Sequence, residues 1–292
     1  MVERIGFWGT GLHSGEPCSV TLLKRPGPFS LGRAERQFTR DELRLVRADS
    51  GVSVAGDDGL TVDLVEHLFA ACAGLGVQRD VAVVVEGPEV PLLDGGAQDL
   101  AHALAALGAG SDAPGLVIAR AAEVVVGESR YWFEPGAVTS VDVHVEFAPL
   151  GRESAHWEGT RAAFLGEIAA ARTFGFRSQA AELRARGRAR FVNPRSVIVL
   201  EDDGHVLPPG LPPRPGELGR HKLLDLLGDL YLYGGPPRGR IDATRPGHRN
   251  NHLALREGLA SGLLETTLGI RPPGAVDADG STSPTGGPGS VG

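Results

Sequence analysis

Cysteine is scarce. The 292 residues include only Cys18 and Cys72, and no CxxC pair. A disulfide-stapled secreted scaffold is therefore excluded, and a reducing, cytoplasmic location is expected. Cys72 lies in an Ala-rich helical run and Cys18 in a strand-like one, so both read as small buried hydrophobes. Long basic runs are also missing, and the formal net charge is -7. Nucleic acid and anionic membrane are poor partners for such a chain. Met1 to Gly6 has no apolar stretch of the kind a secretory signal needs, and no apolar run approaches a membrane span. Hydrophobic residues make up 41% and charged residues 22%. That balance allows a sizeable core, in one large domain or two ordinary ones.

What is present is a helix of unusual composition. Gly219 to Leu230 reads GRHKLLDLLGDL. Four residues advance an α-helix by about 40° beyond a full turn. His221, Asp225 and Asp229 thus form one narrow polar stripe, while Leu223, Leu224, Leu226, Leu227 and Leu230 cover the rest. A leucine-rich helix belongs in a core, and bare carboxylates there are costly. A metal held by His221 and Asp225 would compensate them and leave Asp229 for a second task.

The rest of the chain alternates strand-like and helix-like pieces. Strands are expected at 19–23, 81–86, 116–118, 122–126, 138–147, 197–200 and 238–244. Helices are expected at 61–74, 98–107, 164–172 and 250–264. In the 138–147 strand, Val141, Val143 and Val145 face one way and Asp142, His144 and Glu146 the other. Gly108 to Gly115 is rich in Gly, Ala, Ser and Asp and marks a boundary. The result is an α+β fold with an N-terminal unit at 1–110 and a C-terminal unit at 115–268. The segment 271–292 has few large apolar residues and is expected to be a disordered tail.

Other segments could carry chemistry. Glu66 and His67 stand side by side in an apolar helix, pointing about 100° apart. His67 could bind metal while Glu66 reaches a water on it, although a lone helical histidine also serves as a packed residue. His67, His221 and Asp225 would make two imidazoles and a carboxylate, a ligand set that leaves room for water. Gly247 can project His248 from a loop as a general acid, with Asp229 holding it protonated and Asn250 capping the helix that follows. Thr173, in Ala171-Arg-Thr-Phe-Gly-Phe176, could stabilise an oxyanion.

These segments, in this order, resemble the UDP-3-O-acyl-N-acetylglucosamine deacetylases, the zinc amidases of lipid A synthesis in Gram-negative bacteria. The likeness runs from about residue 5 to 265. It rests on Gly9-Thr-Gly-Leu-His-Ser-Gly15, Val65-Glu-His-Leu68, Glu89-Val-Pro-Leu-Leu-Asp-Gly95, Ala171 to Phe176, His221 to Asp225 with Gly228-Asp229, and Gly247-His248 with Asn250-Asn251. The resemblance implies two layered sheet-and-helix domains packed with their helices between the sheets. It implies one Zn2+ per chain on His67, His221 and Asp225, Glu66 as general base, and His248 as the protonated partner oriented by Asp229. Thr173 would contact the oxyanion, Lys222 would lie near the sugar or phosphates, and Phe174 would pack on the substrate, an acylated UDP-sugar bound by a cytoplasmic monomer.

Departures from the family pattern are local. Arg184 to Arg195 is basic where the family is apolar, His252 replaces the usual lysine, and Arg47 to Val54 lacks a Thr/Cys-rich strand. The basic segment motivates a second reading, a paralogous deacetylase of another amino sugar or nucleotide sugar. A third is a sugar-nucleotide binding protein without catalysis.

Overall fold

The computed structural model describes residues 2–147, 150–207 and 211–266. Two large sheets organise it. The first has the strand order Arg4–Thr10, Pro17–Pro28, Val77–Glu86, Ser30–Arg33, Arg36–Thr39, with Gly110–Ser111 added beside Val77–Glu86. The second runs Ala122–Val126, Ser129–Glu134, Gly239–Thr244, Thr139–Phe147, Gly151–Trp157. Each contains one parallel pair among antiparallel ones: Ser30–Arg33 with Val77–Glu86, and Thr139–Phe147 with Gly239–Thr244. Along Thr139–Phe147 the alternation holds, with Val141, Val143 and Val145 buried and Glu146 exposed.

The long helices lie between these sheets, and the fold class is α+β. Glu66–Leu75 and Gln98–Leu107 pack on the first sheet, Glu217–Leu232 and His248–Ala260 on the second, and Glu66–Leu75 packs against Glu217–Leu232. Strands flank the Glu217–Leu232 helix on one side and the Glu66–Leu75 helix on the other. All five leucines named above are buried, and so are His221, Asp225 and Asp229.

The two central helices meet at Gly228. A Cβ there would stand 2.2 Å from the Glu66 carbonyl oxygen. Gly228→Ala is expected to push the helices apart, lowering stability by about 1–3 kcal/mol and moving Glu66 away from Asp225. A lower urea midpoint checks this; an unchanged midpoint would show that the crossing yields without cost.

Several local expectations are corrected. The 61–74 helix divides into a strand, Thr61–Asp63, and a helix, Glu66–Leu75, closed by Gly76 in the left-handed conformation. Leu64 between them has a φ of 58°, and the β-branched Thr61 and Val62 pair with Ser53–Ala55. Ser53–Ala55 in turn pairs with Arg44–Arg47, so a small three-stranded sheet brackets the Arg47 to Val54 stretch. The 164–172 helix becomes a short turn, Arg161–Ala163, followed by a π-helical turn, Phe164–Ile168. The chain leaves the helix there because the Ala169 carbonyl accepts from the Ala97 amide at 2.7 Å. The last helix starts at His248 and ends at Ala260, with Leu264–Thr266 a strand. Asn250 does not cap it; its amide donates to Ser129 Oγ, and Asn251 Oδ1 accepts from the Gly247 amide instead. Cys18 and Cys72 are buried and unpaired. The 271–292 segment lies outside the described residues.

Candidate metal centre

His67, His221 and Asp225 converge, each offering one atom within 4.8 Å of the others. The two imidazole rings stand 5.3 Å apart at 79°. His221 Nδ1 donates to the Ala171 carbonyl at 3.0 Å, which leaves the lone pair on Nε2. That nitrogen lies 3.3 Å from Asp225 Oδ1, a buried oxygen with no hydrogen-bond partner. Two acceptors facing each other repel unless a cation lies between them. Burial, aided by the neighbouring His221, lowers the pKa of His67 to about 3; burial lowers that of His221 too. Both rings are therefore neutral near pH 7, as ligands must be. Burial works against the Asp225 carboxylate, but the cations beside it, Lys222 and His248, outweigh burial and keep the group ionised. Two neutral imidazoles and one carboxylate suit a divalent transition metal with an open position.

An acid and a base flank this set. Glu66 is 3% exposed, and its Oε2 accepts from the Val52 amide at 2.9 Å. Burial pushes its pKa up to about 7, with His248 opposing. His248 points Nδ1 at both oxygens of Asp229, 3.0 Å from each. Its Nε2 lies 3.9 Å from Glu66 Oε1 and 3.8 Å from Asp225 Oδ2. Burial disfavours the imidazolium, but Asp229 and then Asp225 raise its pKa to about 10. A carboxylate able to accept a proton thus faces an imidazolium able to give one.

These groups open into a cavity of about 1100 Å³, whose wall also includes His13, Thr173 and Phe174. A family model described as UDP-3-O-acyl N-acetylglycosamine deacetylase matches residues 1–260. The chain belongs to this family. Relatives named UDP-3-O-acyl-N-acetylglucosamine deacetylase agree along most of their length. The one from Myxococcus xanthus is 34% identical, covering 85% of this chain and 82% of its own. That from Phenylobacterium zucineum is 32% identical over 86% and 89%. That from Anaeromyxobacter dehalogenans is 32% identical over 95% and 92%.

Within this deacetylase family member, the expected site residues fall in one place, with one difference of orientation. Lys222 turns back so that Nζ donates to Asp225 Oδ2 at 2.7 Å, and it lies 5.2 Å from the Phe174 ring centroid. Thr173 begins a strand, Thr173–Phe176, and its amide donates to the Gly95 carbonyl at 2.7 Å. In the basic segment after it, Arg184, Arg186, Arg190 and Arg195 are exposed and one arginine turns inward. Arg188 is buried, donates to the Ser50 carbonyl at 2.7 Å and pairs with Asp63 at 3.4 Å. Leu183, Arg184, Arg186 and Val192 line the cavity, so its wall mixes apolar and cationic groups.

Sequence reasoning gave no role to His13, Glu89 or Asn251. His13 is buried in the cavity wall, accepting from the Ala189 amide, and burial lowers its pKa to about 3. Glu89 is buried under the Gly9–Gly15 turn, where its carboxylate accepts from the His13 and Ser14 amides. Neither residue lies in a helical or alternating pattern, so only the glycine spacing of the turn hinted at them. No helix among the described residues is long and apolar enough to cross a membrane.

Proposed function

We propose that this chain is a zinc-dependent deacetylase. It hydrolyses the acetamide of UDP-3-O-acyl-N-acetylglucosamine to UDP-3-O-acyl-glucosamine and acetate, the committed step of lipid A biosynthesis. The observation that carries this reading is the buried His67, His221 and Asp225 set with Glu66 and a protonated His248 on either side of its open face. A zinc ion held there would supply Lewis acidity to the acetamide carbonyl and acidify water. Glu66 accepts the proton of the attacking water. Thr173 offers its hydroxyl to the oxygen that gains charge. His248 holds a proton at Nε2, balances that charge, and gives the proton to the departing amine nitrogen. Asp229 keeps the His248 ring in place and charged. Lys222 and Phe174 bind substrate, Lys222 from its place beside Asp225 and near the Phe174 ring.

Supporting observations extend to the molecule as a whole. Both cysteines are buried free thiols, as a cytoplasmic protein would have. Each sheet draws its strands from one side of residues 112–115, which favours domains at 1–110 and 115–268. The test is to incubate zinc-loaded protein with UDP-3-O-acyl-N-acetylglucosamine and follow acetate release. No turnover above a Glu66→Ala control would sink the reading. The cationic wall at Arg184 and Arg186 favours a second reading, in which the amino sugar lacks the acyl chain. Equal turnover of UDP-N-acetylglucosamine would select it.

A bell-shaped pH profile of kcat/KM is expected. Activity rises as Glu66 loses its proton, at or below about pH 7 because a bound cation favours the carboxylate. It falls as His248 loses its proton, at or below about pH 10 because the same cation disfavours the imidazolium. A falling limb that persists unchanged in His248→Gln would remove His248 from that role.

A further inference from the structure

We propose that His252 is a positioning residue for His248, acting through Asp229. The proposal rests on the deacetylase reading for its kinetic test. Asp229 is fully buried. Besides His248, its carboxylate takes the Asn251 amide on Oδ2 at 2.7 Å and faces His252 Nε2 from Oδ1 at 3.2 Å. His252 Nδ1 in turn lies 3.1 Å from the Tyr233 hydroxyl. The arrangement joins two helices through matching pairs. Asp229 and Tyr233 are four residues apart at the end of one, and His248 and His252 four apart at the start of the other, so each pair stacks on one face.

The tautomer of His252 follows from its partners. Were Nδ1 to carry the proton, Nε2 would present a lone pair to a carboxylate oxygen, and two acceptors would be buried face to face. With the Tyr233 hydroxyl donating to Nδ1, the Nε2 proton lies beside Asp229 Oδ1, 3.2 Å between the heavy atoms, close to that oxygen but off the hydrogen-bond line. Besides His248, Asp229 then has the Asn251 amide on Oδ2 and the positive edge of the His252 ring against Oδ1, which together resist its turning about the Cβ–Cγ bond. Both oxygens remain aimed at His248 Nδ1, which fixes the ring and holds Nε2 toward the gap between Glu66 and Asp225. His252 is 2% exposed and does not line the cavity. Its removal therefore alters the proton donor without altering the surface that binds substrate.

The experiment compares H252L, H252Q and Y233F as zinc-loaded full-length proteins. H252L is expected to lose about 10–100-fold in kcat with KM within twofold. H252Q, whose side-chain amide can stand where Nε2–H stood, is expected to recover most of the loss. Y233F, which frees the tautomer, is expected to fall between the two. A second readout needs no substrate: in 15N-histidine-labelled protein, the downfield His248 Nδ1–H resonance is expected to broaden or move in H252L and stay in H252Q. Full kcat in H252L, equal losses in H252L and H252Q, or a resonance indifferent to all three variants each overturn the proposal. If H252L does not fold, wild-type kcat and an unmoved resonance in Y233F overturn it. Wild-type protein without turnover would sink the deacetylase reading, while the resonance still decides the role of His252.

Discussion

Glu66→Gln in the zinc-loaded protein is expected to lower kcat for acetate release by about 10²–10⁴-fold, with KM and bound zinc unchanged. The two side chains have the same shape. The amide can keep its carbonyl oxygen on the Val52 amide, as Glu66 Oε2 is now, 2.9 Å away. What it cannot do is accept a proton. Glu66 sits next in sequence to the ligand His67, yet it makes no contact with His221 or Asp225 of the kind that would hold the metal. Its free oxygen faces His248 instead. Loss of zinc in the variant would recast Glu66 as a ligand, and an undiminished kcat would exclude it as the base.

Asp225→Ala is expected to weaken zinc binding by more than about 100-fold, beyond what loss of an outer-shell partner brings. The substitution removes one of the three proposed ligands and strands one neighbour. Lys222 loses the carboxylate at 2.7 Å. Competition against a chromophoric chelator measures the effect directly. Wild-type affinity in Asp225→Ala would place the metal elsewhere. The less severe Asp225→Asn keeps the volume and an oxygen donor without the charge. It is expected to fall between the two, so the pair separates charge from shape.

The polar stripe on the Glu217–Leu232 helix was legible because a helix turns by a fixed angle, and three polar residues at intervals of four cannot scatter around it. The burial of that stripe followed from the leucines around it. That His67 would meet His221 was not legible from periodicity. Those residues are 154 positions apart, and it was the chemistry of the ligand set, together with the family resemblance, that brought them together. The misread helix at 61–74 has a local cause. Its apolar pattern continues without interruption through Leu64, where the backbone reverses to positive φ and the pairing of Thr61–Asp63 with Ser53–Ala55 overrides helical propensity. The π-helical turn at Phe164–Ile168 was hidden for a related reason. One extra residue per turn leaves composition unchanged and is dictated by the carbonyls that Ala97 and His221 require. The inward turn of Lys222 depends on a contact three residues along its own helix, which the sequence allowed but did not select.

The close approach at Gly228 has a mechanical consequence. A crossing between two rods is a pivot, and displacement grows with distance from it. Glu66 touches the pivot itself, and Asp225 stands less than one helical turn away. A small rocking of one helix over the other would therefore barely change the separation of base and ligand. The same rotation would sweep the far walls of the cavity through a longer arc. Placing the chemistry at the fulcrum lets the chain tolerate change in the part that selects its substrate while the part that cleaves it stays fixed.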